Sequence, residues 1–368
     1  MSGPLRFLHT ADWQLGLKLA FVAGDAGAVA RFQRFEVVRR LAALAKERAV
    51  HAVVVAGDVF DDNAVGPDSI QRARDALAPF APIPVLLLPG NHDAGTPDCV
   101  LRRLDAGAHV HPLLDDTPFT LEGARFHPCP LRRRHERDDP ARGLPARAPG
   151  DPILVAVAHG ALLDFAAMDT SGTPESNNLI DWQAVLAKGY DYLAMGDWHG
   201  TLSFGPRVWY AGAPEATRFK EKRPGNALLV EIDGPGAAPR VEEVAVARTR
   251  WIERSFDLLD DGGVAEVARF FDALDEPSMT LVSARFAGHV SLSGRGELER
   301  TLARARGALM HLRTDDGDLH DRPSEADLRA LAVDGFVGRA ADALRAGGTT
   351  ASEDALRLLH RFVIEERR

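Results

Sequence analysis

Five short words carry the residues of this sequence best suited to joint chemistry, and each follows a run of apolar residues. They are His9-Thr10-Ala11-Asp12-Trp13-Gln14, Gly57-Asp58-Val59-Phe60-Asp61, Pro89-Gly90-Asn91-His92-Asp93, Ala158-His159-Gly160 and Met195-Gly196-Asp197-Trp198-His199-Gly200. Singly, each is what turn chemistry alone produces, because Asp, Asn and Gly are favoured wherever a chain reverses. In this order they repeat one theme, a strand end that delivers Asp, Asn or His. An open α/β sheet binds its ligand outside the carboxyl ends of its strands. If these ends share one edge, carboxylate, amide and imidazole donors gather there, a set suited to divalent cations of the Mn, Fe or Zn kind.

The elements that must position these words are legible in the apolar pattern. Short apolar runs at residues 5–10, 51–56 and 84–88 read as strands, separated by helices at 28–49 and 67–77. In the first helix Phe32, Phe35, Val38, Leu41, Leu44 and Ala45 recur at three- and four-residue spacing. Pro67 suits the first turn of the second. Further strands are expected at 153–158, 192–195, 207–211 and 227–232, giving a large mixed sheet. Residues 132–150, charged and rich in Pro and Gly, read as a surface loop. After Gly234-Pro235-Gly236 the pattern changes to strand, helix (264–274), strand (279–286), helix (297–307) and strand (308–313), and a helical tail starts at Pro323-Ser324. The expected division is 1–247, 248–322 and 323–368.

The 368 residues suffice for two or three domains. With 45% hydrophobic and 26% charged residues and no apolar run long enough for a membrane span, the composition is that of an ordinary soluble protein. Residues 1–6 lack the apolar stretch of an export signal, so the cytoplasm is the expected compartment. Only Cys99 and Cys129 occur, which removes disulfide scaffolds and cysteine-rich zinc sites. A net charge of −9 means that any polyanionic partner must be gripped by a local basic surface. There is no Gly-rich phosphate loop, dinucleotide fingerprint, Gly-x-Ser-x-Gly elbow or His-Glu-x-x-His helix.

The order of the five words resembles the calcineurin-like metallophosphoesterase superfamily, and LHTADWQLG, HAVVVAGDVFDDN, VLLLPGNHD and YAGAPEATRF resemble its SbcD-type DNA repair exonucleases. The likeness is close over residues 5–232 and in outline only over 251–368. It implies an α/β four-layer sandwich with mixed sheets, a small α+β cap, and C-terminal helices that dock on an SbcC-like coiled-coil ATPase. It also implies that Asp12, Gln14, Asp58 and His199 hold one metal, and that Asp58, Asn91, His159 and Asp197 hold a second. His92 would face the scissile phosphate, with Asp93 and Asp61 as orienting neighbours. The implied reaction is hydrolysis of a DNA phosphodiester, and dimerisation through the nuclease domain is a family habit.

Two positions depart from the family pattern: Gln14 stands where a His is usual, and Asp197 stands in the first His position of Gly-His-x-His. The pocket becomes richer in oxygen, which shifts preference from zinc toward Mn²⁺, Mg²⁺ or Fe²⁺. The weaker metal is expected beside Gln14. Arg218, Lys220, Lys222 and Arg223 form a basic loop after the last strand of the site, suited to a polyanionic substrate or, balanced by Glu215 and Glu221, simply solvated. Trp13 and Trp198 either stack on a base or pack beneath the loops. Competing readings are a phosphodiesterase for small nucleotides or other diesters, and a DNA-end-binding subunit with a degenerate site.

Overall fold

A computed structural model describes residues 3–121, 123–163, 177–324, 326–327 and 336–366. Two compact units, Met1–Thr249 and Arg250–Arg368, follow one another along the chain. The first begins with β1 (Leu5–Thr10), α1 (Gly24–Glu47), β2 (Ala52–Ala56), α2 (Pro67–Leu77), β3 (Val85–Leu88) and β4 (Val110–Pro112). It continues through β5 (Phe119–Leu121), β6 (Ala124–Cys129), β7 (Ile153–His159), β8 (Ala161–Leu162), β9 (Leu179–Ile180), α3 (Trp182–Ala187) and β10 (Tyr192–Gly196). It closes with β11 (Leu202–Phe204), β12 (Val208–Tyr210), β13 (Asn226–Ile232) and β14 (Arg240–Ala245).

These strands form two six-stranded sheets, ordered β14-β13-β1-β2-β3-β4 and β11-β12-β10-β7-β6-β5, where the apolar pattern suggested one. A strand buried on both faces is apolar throughout, so its sequence records burial but not which sheet it joins. Side chains alternate between faces. Leu5, Phe7, Val54, Leu86 and Leu88 meet Phe126, Val155, Val157 and Tyr192 between the sheets. Leu8, Val53, Val55 and Leu87 face Val38, Leu41, Ala45 and Leu77 of the helices outside the first sheet. Trp182, Val185 and Leu186 cover the second sheet's outer face against Leu154, Ala156 and Leu193. The layers are therefore helix, sheet, sheet, helix, as expected for the family.

Several local expectations change. α1 starts at Gly24 rather than residue 28, and Phe32, counted among its core positions, is 44% exposed. The segment 132–150 is irregular but not wholly solvated: Ala141 and Leu144 are buried in the outer core of the second sheet, and Arg147 pairs with buried Asp191. β4, β5, β6, β8, β9, β11, β14 and the short helix α3 were not expected. Within the first sheet β1, β2, β3 and β4 pair in parallel, and β6, β7, β10 and β12 do so in the second. The carboxyl ends of β1, β2, β3, β7 and β10 carry the five words.

The second unit alternates β15 (Arg250–Leu258), α4 (Gly262–Asp272), β16 (Thr280–Val290), α5 (Leu292–Ala308) and β17 (His311–Asp321). Its three strands pair in parallel around Phe256, Val282, Phe286, Leu298 and Leu302. α5 begins earlier than expected because the Ser291 hydroxyl caps it, accepting from the Gly294 amide. α6 (Phe336–Gly347) and α7 (Thr350–Glu366) follow, with Ala341 and Leu356 packed on Leu292 of α5. Part of the expected helical tail, residues 328–335, lies outside the described residues. Among the described residues no helix is long and apolar enough to cross a membrane.

Candidate metal centre

The five words meet on one rim because strand pairing continues past the strand ends. The amides of Asp12, Gln14 and Leu15 donate to the carbonyls of Gly57, Asp58 and Val59, at 2.9–3.0 Å. The Gly160 amide bonds the Gly196 carbonyl, joining β7 to β10, and the Asp197 amide reaches across the sheets to the Asp12 carboxylate at 3.2 and 3.3 Å. These turns are tight. Asp12, Gln14, Asp58 and Asp197 all have positive φ, 53°, 45°, 51° and 100°. Left-handed backbone outside glycine is uncommon and gathers at functional sites, where surrounding structure must enforce it. Gly90 keeps the floor open: a Cβ there would stand 2.2 Å from Asp58 Oδ1 and 2.8 Å from His159 Nε2.

Two imidazoles are aimed inward by what their other nitrogen does. His159, fully buried, donates from Nδ1 to the Ala56 carbonyl at 2.8 Å. Its Nε2 then faces Asn91 Oδ1 at 3.0 Å, Asp58 Oδ1 at 3.5 Å and Asp197 Oδ1 at 3.7 Å. His199 gives its Nδ1 proton to Glu221 Oε1 at 2.5 Å, with Thr217 Oγ1 3.1 Å away, and presents Nε2 to the Gln14 amide at 3.2 Å. Such an outer partner on one ring nitrogen fixes the tautomer that leaves the other a lone pair for a metal. Glu221, read from sequence only as a counter-charge on the basic loop, is therefore a positioning residue. No local pattern marks it, because its partner lies on another turn.

Burial and crowding make the cluster costly unless a cation compensates it. Asp12 and Asp58 are 0% and 2% exposed. Burial lifts the Asp12 carboxyl to about 6. For His159, burial opposes protonation, but the surrounding Asp58, Asp12 and Asp197 outweigh it and raise the ring to about 9. One ligand atom each from Asp12, Asp58 and His159 lies within 4.8 Å of the others. Anionic oxygens and inward-facing ring nitrogens at this spacing fit a divalent cation. Asn91, Asp197, Gln14 and His199 stand around this trio. The carboxamide of Gln14 shows its nitrogen to His199, and a half-turn about its last bond would offer the oxygen instead.

His92 lies beside this cluster. Its backbone amide donates to Asp58 Oδ1 at 2.9 Å, its Nδ1 bonds the Asp61 carbonyl at 2.8 Å, and its Nε2 lies 4.0 Å from Asp58 Oδ2. With the side chain 30% exposed, that nitrogen is within reach of a substrate. The Asp61 carboxylate is 3.8 Å from Nδ1, and burial raises its pKa. Asp93 acts on the loops rather than on the ring: fully buried, its carboxylate accepts from the Gly90 amide at 2.7 Å and the Phe60 amide at 3.0 Å. It thus braces the β2 turn against the β3 turn.

The basic loop is only partly free. Arg223 is paired with Glu243, and Arg218 lies 3.6 Å from Glu221, while Lys220 and Lys222 are exposed. Trp13 is fully buried, its indole N–H bonded to Thr10 Oγ1, and Trp198 packs on the outer core of the second sheet, so packing accounts for both. Arg34 carries no signal among the five words, yet it shapes the site. Buried on α1, it donates to the carbonyls of Trp13, Gln14, Glu215 and Ala216 at 2.7–3.2 Å and locks the first turn of the site to the segment that leads into Thr217.

Comparison with known proteins fits this geometry. The SbcD component of nuclease SbcCD from Rhodobacter capsulatus is 32% identical over 138 residues, 35% of this chain and 32% of that protein. The SbcD component of nuclease SbcCD from Bacillus subtilis is 32% identical over 92 residues, 24% of this chain and 22% of its own length. The matches thus span about a third and about a fifth of these relatives. The calcineurin-like phosphoesterase family matches residues 5–225, a stretch that contains every one of the five strand ends. On a match over more than half its length, this chain belongs to the calcineurin-like phosphoesterase family.

Proposed function

We propose that this chain hydrolyses phosphodiester bonds of DNA with two divalent cations, Mn²⁺ foremost, as the nuclease half of a complex with an SbcC-like coiled-coil ATPase. The observation that carries the reading is the convergence of Asp12, Asp58 and His159, with Asn91, Asp197, His199 and Gln14 around them, beside an accessible His92. The partner assignment leans on the two SbcCD nuclease relatives. Homodimerisation and a cytoplasmic setting belong to the same proposal.

Bound at this rim, divalent cations supply Lewis acidity and offset the charge that builds on a phosphoryl group in flight. Asp12, Gln14, Asp58 and His199 would hold one, and Asp58, Asn91, His159 and Asp197 the other. The remaining work falls to the protein. His159 and His199 are pinned by Ala56 and Glu221, so the pocket need not reorganise as charge develops. In hydrolysis, water's oxygen replaces the leaving alkoxide on phosphorus, and a proton must reach that alkoxide. With the Nδ1–H committed to the Asp61 carbonyl, Nε2 of His92 is placed to deliver that proton from the doubly protonated ring, which returns to the neutral Nδ1–H form as the alkoxide leaves as an alcohol. Asp93 holds the loop that carries His92.

The test is digestion of linear duplex and single-stranded DNA in Mn²⁺, beside a panel of chromogenic and cyclic diesters. Wild-type digestion that disappears in Asp58→Ala and His92→Ala supports the proposal. Turnover of small diesters without DNA would move the substrate assignment to small molecules. Inactivity with each of Mn²⁺, Mg²⁺, Fe²⁺ and Zn²⁺, alone and with the ATPase, would overturn catalysis and leave an end-binding role.

A further inference from the structure

In the second sheet the order β12-β10-β7-β6 sets the strands that lead to His199 and His159 in the middle. All four run parallel, so their carboxyl ends share one rim. The segments leaving the two flanking strands are both basic: Arg132, Arg133, Arg134 and Arg137 follow β6, and Arg218, Lys220 and Lys222 follow β12.

Each segment is hydrogen-bonded to a different part of the candidate metal centre. Beyond β12, Thr217 and Glu221 reach His199 Nδ1 at 3.1 and 2.5 Å. Beyond β6, the Leu131 carbonyl accepts from the Gly95 amide at 2.7 Å, in the turn after His92. Asn178 then clasps residues 134–136: its side-chain oxygen accepts from the Glu136 amide at 2.7 Å, and its side-chain nitrogen donates to the Arg134 carbonyl at 3.0 Å. The Asn178 carbonyl accepts from the Ala161 amide at 3.1 Å, two residues past His159. Gly160 permits that approach, because a Cβ there would stand 2.0 Å from the same oxygen.

Both segments turn positive charge outward. Glu221 faces His199 and Thr217, with its side chain 3% exposed. Glu136 and Asp139 accept from the amides of Arg132, Ala141 and Asp181, and Arg132 is itself paired with Asp116. Asp138 is the one exposed carboxylate between residues 132 and 139. Arg133, Arg134, Arg137, Lys220 and Lys222 are exposed and make no ion pair among the described residues; Arg218, 3.6 Å from Glu221, keeps 72% of its side chain in solvent.

Three strand spacings, about 15 Å, separate β12 from β6. One strand of a duplex advances about 3.4 Å per phosphate, so about four phosphates span that width. A strand whose scissile phosphate lies over β10 and β7 therefore carries further phosphates over both basic segments, which a small diester lacks. We propose that one strand of a DNA duplex crosses the rim along the line from β12 to β6. Arg218, Lys220 and Lys222 meet its phosphates on one side of the metal centre, and Arg133, Arg134 and Arg137 meet them on the other. The proposal rests on the DNA reading above and adds the path of the strand.

The test is the salt dependence with which the full chain binds a fluorescein-labelled duplex of about 20 base pairs, with Ca²⁺ in place of Mn²⁺ to keep the DNA intact. Each phosphate contact adds about 0.9 to the slope of log affinity against log salt. Arg133→Gln/Arg134→Gln/Arg137→Gln and Arg218→Gln/Lys220→Gln/Lys222→Gln should each flatten that slope by about 2.7. Between about 50 and 200 mM salt, each should then lose about 40-fold less affinity than wild type does. Combining the two sets should double the effect. Arg133→Lys/Arg134→Lys/Arg137→Lys should keep the wild-type slope, and so should Lys46→Gln/Arg72→Gln, on the helices outside the first sheet. Flattening by one triple variant only, by neither, or by the helix control as well would overturn the path and leave the DNA reading standing. Failure of wild type to bind the duplex, together with failure to cut DNA, would overturn both.

Discussion

His199 shows how much of this site is decided away from its ligand atoms. Its Nε2 offers a lone pair to the cluster because Glu221 accepts the hydrogen bond from Nδ1–H. Replacing such an outer partner generally costs 10- to 100-fold in metal affinity. Glu221→Gln should therefore weaken Mn²⁺ binding by about that factor in calorimetric titration, and retained affinity would show that the contact is ornamental. His92 makes the opposite prediction, since it lies outside the donor set. His92→Gln should lower the turnover number on a phosphodiester by about 10²- to 10⁴-fold, the usual worth of a proton-transfer group. Calorimetry of the same variant separates the roles: a loss of Mn²⁺ affinity as large as the loss of rate would make His92 a ligand instead. Gln14 belongs to this scale too. Restoring an imidazole with Gln14→His should tighten zinc more than manganese, because nitrogen donors favour the softer ion, and competition between the two ions reads that ratio directly.

At the scale of elements, the two sheets are held in register at the rim by a side chain that does no chemistry. His9 of β1 crosses the inter-sheet core, its ring nitrogens 3.1 Å from Tyr192 Oη and from the Met195 carbonyl. Burial lowers its pKa from 6.5 to about 3, so the folded protein keeps the ring neutral while the unfolded chain protonates it below pH 6.5. Stability from this source is complete above pH 6.5 and is lost as pH falls toward 3. By pH 5 the loss is on the order of 2 kcal/mol, at about 1.4 kcal/mol per pH unit. Urea unfolding at pH 7 and pH 5 should show that much less acid loss in His9→Gln than in wild type, and an identical loss would assign the acid sensitivity elsewhere. Helix α1 contributes Arg34 in the same manner, and Arg34→Met, which strands the carbonyls of Trp13, Glu215 and Ala216, should cost about 3–5 kcal/mol, at about 1–3 kcal/mol for each buried acceptor left without a donor. That residue was not read from the sequence, because an arginine within a helical stretch is usually a solvated position, and only the structure shows Arg34 buried beside Ala30, Phe35, Val38 and Leu41. The turns carrying the candidate ligands were legible, because apolar runs ending in Gly-Asp and Gly-Asn-His-Asp mark strand ends without knowledge of the sheet. β6 was not. It contains His127 and Pro128, and Pro is tolerated there because the neighbouring β5 pairs only as far as Phe126, leaving an edge. β14, with Arg240, Glu242 and Glu243, is an edge strand whose charges hide its period.

At the scale of the whole molecule, each of the two units has its own core, and the candidate centre lies in the first alone. Phe256, Val282, Phe286 and Leu298 pack within Arg250–Arg368, whereas Asp12, Asp58, Asn91, His159, Asp197 and His199 all fall within Met1–Thr249. A ligand that binds only the folded form stabilises the unit that binds it, by about 2.7 kcal/mol at a concentration 100 times its dissociation constant. For a domain of 150–250 residues, 1 kcal/mol corresponds to about 2–4 °C. Differential scanning calorimetry should therefore resolve a transition that Mn²⁺ moves upward by about 5–11 °C, with the second unit's transition unmoved. Asp58→Asn should abolish that shift, since Asp58 is proposed to serve both ions. A shift shared equally by both transitions would mean that the units unfold as one cooperative body. No shift in either, at Mn²⁺ concentrations that support hydrolysis, would mean that the clustered carboxylates and imidazoles do not hold the ion.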